Sequence, residues 1–211
     1  MGVDGCRAGW VAVEIEESGE TQARTAVGFA ELLDSHALVI GVDIPIGLNE
    51  REERTVDAIA RRVVGARHST VFNTPPRPVL TATSYEEANG LARELMGKGI
   101  SKQTFALRYR ILEVDVVAAV DERVIEVHPE VSFCELARRP LVHSKHKPDG
   151  LAERRSLLEA VGIRLPPRPN GVTEADLVDA GVVAWSAARF AQRKARALPE
   201  GHRQRIGAIW A

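Results

Sequence analysis

The run Ala37-Leu38-Val39-Ile40-Gly41-Val42-Asp43-Ile44-Pro45-Ile46-Gly47-Leu48 constrains this chain more than any other stretch. Continuous apolar and β-branched residues mark a strand covered on both faces, as parallel strands inside α/β sheets are. Asp43 interrupts the run where it is about to end. Pro45 has no N–H to give to a ladder and Gly47 punctuates a turn, so a central strand stops there. Asp43 is therefore expected near the carboxyl end of a buried strand, the edge where open α/β sheets place their ligands. An Asp in that position can also simply bond the backbone of the turn.

The rest of the chain supports the same class. Its 211 residues are enough to bury a full core, and 45% hydrophobic with 27% charged residues is ordinary globular composition. A formal net charge of -1 gives no electrostatic case for a dedicated nucleic-acid-binding protein, although local basic patches remain compatible with it. Cys6 and Cys134 are the only cysteines, which excludes a disulfide framework and a zinc-type cluster. With no run of about 18 apolar residues and no signal peptide, a soluble, cytoplasmic protein with no membrane partner is expected. One domain over residues 1–211 is predicted, with a helical insertion over 65–120.

Taken in order, residues 2–15 read as a very short strand, a Gly-rich turn and a longer strand. Trp10, Ala12 and Glu14 share one face of the second strand, and Val11, Val13 and Ile15 the other. Thr21 to Val27 is a returning third strand, and a short helix begins at Phe29. Asp4, like Asp43, is an acid on a short apolar strand followed closely by glycine. An amphipathic helix is predicted from Glu50 to Val64, its arginine face (Arg51, Arg54, Arg61, Arg62) solvated. Residues 65–78 read as a polar loop, Ser84 to Met96 as a helix capped by Ser84, and Phe105 to Val120 as another. Arg123 to Glu130 repeats the Asp43 pattern, with Val124, Glu126 and His128 on one side and Ile125 and Val127 on the other. A Glu on a buried strand is uncommon unless paired or coordinating, so Glu126 and Glu130 compete for one role. His143 to Lys147 is a short basic loop, able to meet an anion or simply solvated. The last helix starts at Thr173, whose hydroxyl can cap Asp176; Asp179 follows in small, apolar surroundings. The arginine-rich tail reads as a solvated end.

No Walker, Rossmann or Gly-x-Ser-x-Gly pattern is present. What stands out is a set of acids at equivalent places: Asp4 and Asp43 at strand ends, Glu126 or Glu130 at a third, and Asp176 or Asp179 on the final helix. Converging carboxylates repel, and are stable together when protonated or bridged by cations. Hard Mg²⁺ or Mn²⁺ suits an oxygen-only site, and such ions serve phosphodiester cleavage.

Val3-Asp4-Gly5-Cys6-Arg7-x-Gly9-Trp10, Val42-Asp43-Ile44-Pro45-Ile46-Gly47-Leu48, Glu113-Val114-Asp115 and Glu126-Val127-His128-Pro129-Glu130-Val131-Ser132-Phe133 resemble the signature blocks of domain-of-unknown-function family 429, described as predicted RNase H-like nucleases. The resemblance extends through Ser69-x-Val71-Phe72, Pro76-Arg77, Ser101-x-Gln103 and Asp176-x-x-Asp179-Ala180, nearly end to end. It implies an α/β, ribonuclease H-like mixed five-stranded sheet, the first three strands antiparallel and then parallel strands, flanked by helices. By the same pattern Asp4 and Asp43 match the acids on the first and fourth strands, Asp179 or Asp176 the acid on the last helix, and Glu31 a helix glutamate. The chain begins three residues before Asp4, so the first strand is expected to be unusually short.

The function expected is a Mg²⁺- or Mn²⁺-dependent nuclease or phosphodiesterase. Asp4, Asp43 and Asp179 (or Asp176) are its expected metal ligands, with Glu126 and Glu130 completing or orienting the site. Arg7, Arg67, Arg77 and Lys102 are the candidate phosphate contacts for a nucleic-acid or nucleotide substrate. An actin-like phosphotransferase and a non-catalytic nucleotide or small-molecule binding module are the alternatives. Monomer and homodimer are both compatible with the sequence.

Overall fold

The computed structural model describes residues 1–211. β1 (Gly2–Cys6) turns at Arg7 and Ala8 into β2 (Gly9–Ile15), which turns again into β3 (Thr21–Ala26). The first strand reaches five residues because pairing continues past Asp4, with Gly5 opposite Trp10 and Cys6 opposite Gly9. A 3-10 turn at Phe29–Leu32 leads to β4 (Ile40–Val42), and β5 (Val124–Glu126) completes the sheet. The order is β3-β2-β1-β4-β5, with β4 parallel to β1 and β5 parallel to β4. This is the mixed five-stranded sheet, three antiparallel strands and then parallel ones, that the resemblance implies.

The helices are α1 (Thr55–Val63), α2 (Arg77–Thr81), α3 (Tyr85–Met96), α4 (Lys102–Val120), α5 (Pro129–Ala137), α6 (Pro148–Ala160) and α7 (Glu174–Ala191). None is long and apolar enough to cross a membrane. Strand alternation sorts the core into two layers. Val3, Trp10, Ala12, Ile40, Val42 and Val124 pack with Phe29 and with Ile111, Val114 and Ala118 of α4. On the other face, Val11 and Val13 meet Leu177, Ala180 and Ala184 of α7, while Ile125 and Val127 meet Val183 and Ala187. The segment 65–120 thus supplies one covering layer of the sheet through α4. α2, α3 and the start of α4 form a smaller cluster around Val79, Ala88 and Ala92.

How closely α7 lies on β1 is decided by Gly2. A Cβ there would sit 2.0 Å from the Ala184 backbone nitrogen, a distance that backbone cannot yield without moving the helix. Gly2→Ala is expected to cost about 1–3 kcal/mol of stability, the usual penalty for overpacking, measured by chemical denaturation. An unchanged midpoint would show that α7 does not seat on β1 this closely.

Several local expectations are corrected. The helix predicted from Glu50 begins at Thr55. The loop 65–78 contains a 3-10 turn (Gly65–Thr70) and the start of α2. α4 begins at Lys102 because the Ser101 hydroxyl accepts from Thr104 N–H. The tail is not a solvated end: β6 (Ala197–Leu198) pairs with β7 (Ile209–Trp210), burying Ala208 and Ile209. Arg205 donates to Val124 O and Ala118 O, 2.6 Å each, satisfying a carbonyl in the last turn of α4 that lacks a helical partner.

Candidate active site

Parallel pairing brings the two strand-end acids together. Gly2 pairs with Gly41 and Val3 with Val42, and Asp43 N–H donates to Val3 O at 3.0 Å. Asp4 and Asp43 therefore end adjacent strands side by side. Since Val3 and Val42 face α4, the pleat turns both aspartates toward α7. There Asp179, 1% exposed, projects from the helix that Gly2 admits so closely. Three carboxylates from three separate stretches share one small region.

Their environment disfavours negative charge. Burial, then the neighbouring Asp43 and Asp179, hold Asp4 well above the usual carboxylate range. Burial also raises Asp43, against the pull of His128 and Lys145. Asp179 is pushed up to about 6 by burial, opposed by Lys145. The Lys145 ammonium bonds Asp179 Oδ2. Burial acts to lower its pKa, but the charges of Asp179, Asp4 and Asp43 outweigh this and keep it firmly protonated. The basic loop that could have been a solvated turn thus sends one side chain into the acid cluster.

Glu126 and Glu130 border the same region, Glu126 lining one cleft with Asp4 and Asp43 and Glu130 acting by its charge on Asp43 and Asp179, but each is held by an arginine. Val42 pairs with Glu126, so alternation places Glu126 on the face opposite Asp43. It accepts from Ile46 N–H at 2.7 Å and from Arg54 Nη2 at 2.8 and 2.7 Å. Burial raises its carboxyl to about 7, with Arg54 pulling it down. Arg54, expected on a solvated face, is buried between Glu126 and Asp57. Glu130 receives both of its 2.7 Å bonds from Arg154 Nη2. Asp176 closes a reciprocal cap with Thr173 at 3.0 and 3.2 Å, which leaves Asp179 as the helix acid facing Lys145.

The predicted phosphate contacts scatter. Arg7 is exposed on the β1–β2 turn, and Lys102 is exposed at the start of α4. Arg67 lies 3.6 Å from Glu130, while Arg77 bonds Asp115 at 2.7 Å and Glu50 at 3.2 Å. Besides Lys145, the cation that reaches the site is Arg110 of α4. Its guanidinium lies against Gly5 and donates to Cys6 O at 2.8 Å. With Gln103, Leu107, Phe72, His128, Asp4 and Asp43 it lines a cleft of about 230 Å³ at the strand ends. His128 Nδ1 is buried there without a hydrogen-bond partner.

No group of three or more His, Cys, Asp or Glu side chains is placed to hold a metal ion by itself. Mg²⁺, however, characteristically takes one or two carboxylates and fills its remaining positions with water and substrate phosphate. Asp4 spends Oδ1 on the Gly5 N–H at 2.7 Å, and Asp43 sits among charges without a hydrogen bond. That pair fits a hydrated divalent ion rather than a closed protein cage.

The raised carboxyls carry a consequence for stability. An acid whose pKa is higher in the folded state leaves that state holding more protons, so stability falls as pH rises between the two values. Asp179 and Glu126 set that window from their ordinary values of 3.8 and 4.5 up to about 6 and about 7. The unfolding free energy is expected to decline across it, read from denaturation midpoints at successive pH. A rise over the same window would contradict this account.

No curated protein and no solved structure matches the chain. A family match covers nearly the whole sequence, including every acid of the cluster. The chain belongs to the family described as Protein of unknown function (DUF429), matched over residues 2–204.

Proposed function

We propose that this chain is a divalent-metal-dependent phosphodiesterase, a nuclease in the broad sense, acting at the cleft beside Asp4 and Asp43. The observation that carries the reading is the adjacent pair of carboxylates at the ends of β1 and β4, Asp4 buried and Asp43 half-buried on the α7 side of the sheet, with too little positive charge to balance them. Asp4 and Asp43 would hold Mg²⁺ or Mn²⁺. Such an ion, when bound, supplies Lewis-acid stabilisation of phosphoryl charge and lowers the pKa of water. Arg110 and Gln103 line the cleft where a phosphodiester would lie, and Phe72 and Leu107 restrict water around it. His128, with an unpartnered ring nitrogen beside Asp43, is positioned to take or give a proton.

The test is hydrolysis of bis(p-nitrophenyl) phosphate and of single- and double-stranded RNA and DNA, with Mn²⁺ or Mg²⁺. Activity removed by a chelator, restored by the metal and lost in Asp43→Asn supports the reading. Activity that survives Asp43→Asn overturns it, as does inertness toward every substrate.

One observation favours a non-catalytic binding module instead. Arg54, Arg154 and Lys145 each pair with a buried acid, as a purely structural network would require. Saturable binding of a nucleotide that needs no divalent ion would select that reading. An actin-like phosphotransferase would need a second such sheet, and this chain has one five-stranded sheet and a two-stranded ribbon.

A further inference from the structure

Lys145 is the one cation whose charge bears on Asp4, Asp43 and Asp179 alike. Its placement is built rather than incidental. The loop that carries it is bonded by Arg154, fully buried, whose Nη1 donates to His143 O at 3.0 Å. The start of α6 presses on the same loop, since a Cβ on Gly150 would fall 2.1 Å from Ser144 O. Arg67 reaches Ser144 Oγ from a third side at 3.5 Å, and Lys147 N–H closes a turn onto Ser144 O at 2.9 Å. With its neighbours held in this way, the Lys145 side chain is delivered to Asp179 Oδ2.

We infer that Lys145 is a resident cation standing in place of a second metal ion, so that the site takes one divalent ion and not two. The inference rests on the proposed reading of Asp4 and Asp43 as metal ligands. With a metal bound and Asp4, Asp43 and Asp179 ionised, three carboxylates and one ammonium leave two negative charges, which a single Mg²⁺ or Mn²⁺ neutralises; the nearby Glu130 is already matched by Arg154. A second dication would have to share Asp179 with the ammonium and would bring a net positive charge into a buried region, at the cost of desolvating it. In a two-ion site, one ion faces the attacking oxygen and the other the leaving oxygen. With Lys145 present, one of those two charge-stabilising positions falls to an ammonium with hydrogens to donate. Such a cation is permanent, whereas a metal exchanges with the medium.

The experiment is titration of Mn²⁺ into the full chain, with and without inorganic phosphate. Binding is followed by calorimetry and by the electron paramagnetic resonance of the bound ion. Wild type and Lys145→Arg are expected to take one ion per chain with the spectrum of an isolated Mn²⁺. Lys145→Met is expected to take two, with the spectrum of a magnetically interacting pair. A purely structural lysine would not change the stoichiometry. If the methionine variant does not fold, Lys145→Gln, which can still bond Asp179, is read in its place. Two ions in the wild type would overturn the inference while leaving Asp4 and Asp43 as ligands. A single ion in the folded Lys145→Met or Lys145→Gln chain would overturn it as well. No binding to the wild type, even with phosphate, would instead overturn the metal-dependent reading itself.

Discussion

Arg154→Met is expected to lower the unfolding free energy by about 3–5 kcal/mol, the cost of leaving a buried charge without its partner. Arg154 is 0% exposed and Glu130 4% exposed, and the pair is joined by two bonds of 2.7 Å. The same guanidinium bonds His143 O at 3.0 Å and Gly150 O at 2.8 Å, so its loss also frees the loop that delivers Lys145. The double variant Arg154→Met/Glu130→Met should recover most of the loss, because two apolar groups then replace a satisfied pair. Urea denaturation of both variants checks this. A single variant within about 1 kcal/mol of wild type would mean that the pair is hydrated, because exposed pairs contribute no more than that.

Asp43→Asn is expected to lower kcat for phosphodiester hydrolysis by roughly a thousandfold or more while raising stability above pH 7. The first effect follows from the proposed function: an amide is a weak ligand for a hard cation, and loss of an interaction made in the transition state appears in kcat. The second effect rests on electrostatics alone. Asp43 has no hydrogen bond to lose, and its charge raises the pKa of Asp4 and Asp179. Removing it relieves repulsion worth on the order of 1 kcal/mol, the usual exchange of stability for function at a site of this kind. Steady-state kinetics and thermal unfolding at pH 8 and pH 4.5 measure the two together. The gain in stability should be smaller at the lower pH, because burial holds the Asp43 carboxyl above its ordinary range. Loss of stability alongside activity would identify Asp43 as a structural residue.

Much of the fold could be read before any coordinates. The Ala37–Leu48 run contains a strand ending just before Asp43, and the order of the four strands emerges because turn residues punctuate strands of clear alternation, while the short helix expected at Phe29 is a 3-10 turn. The two-faced pattern of Trp10 and Ala12 against Val11 and Val13 holds as well, because the pleat is local. What failed was the reading of charge. Arg54 lies on a helix edge whose period suggests solvent, yet it pairs with Glu126 across 72 residues. Lys145 reaches Asp179 across 34 residues, from a loop with no periodicity at all. The small β6–β7 ribbon was hidden by the arginines around it, one of which, Arg205, turns inward to backbone carbonyls.

The sequence by itself determined the strands, the acids at their carboxyl ends and the family, because these depend on residue type, on period and on the order of short blocks. Only the tertiary structure decided which acids meet. Alternation puts Asp43 and Glu126 on definite faces of their own strands, but the register between β4 and β5 sets those faces opposite one another. Close packing of α7 on Gly2 then brings Asp179 to the Asp4 side. Which carboxylates remain free and which receive an arginine or a lysine is a matter of long-range pairing. That pairing is driven by the cost of burying a charge alone, a cost that exists only once the chain has closed around it.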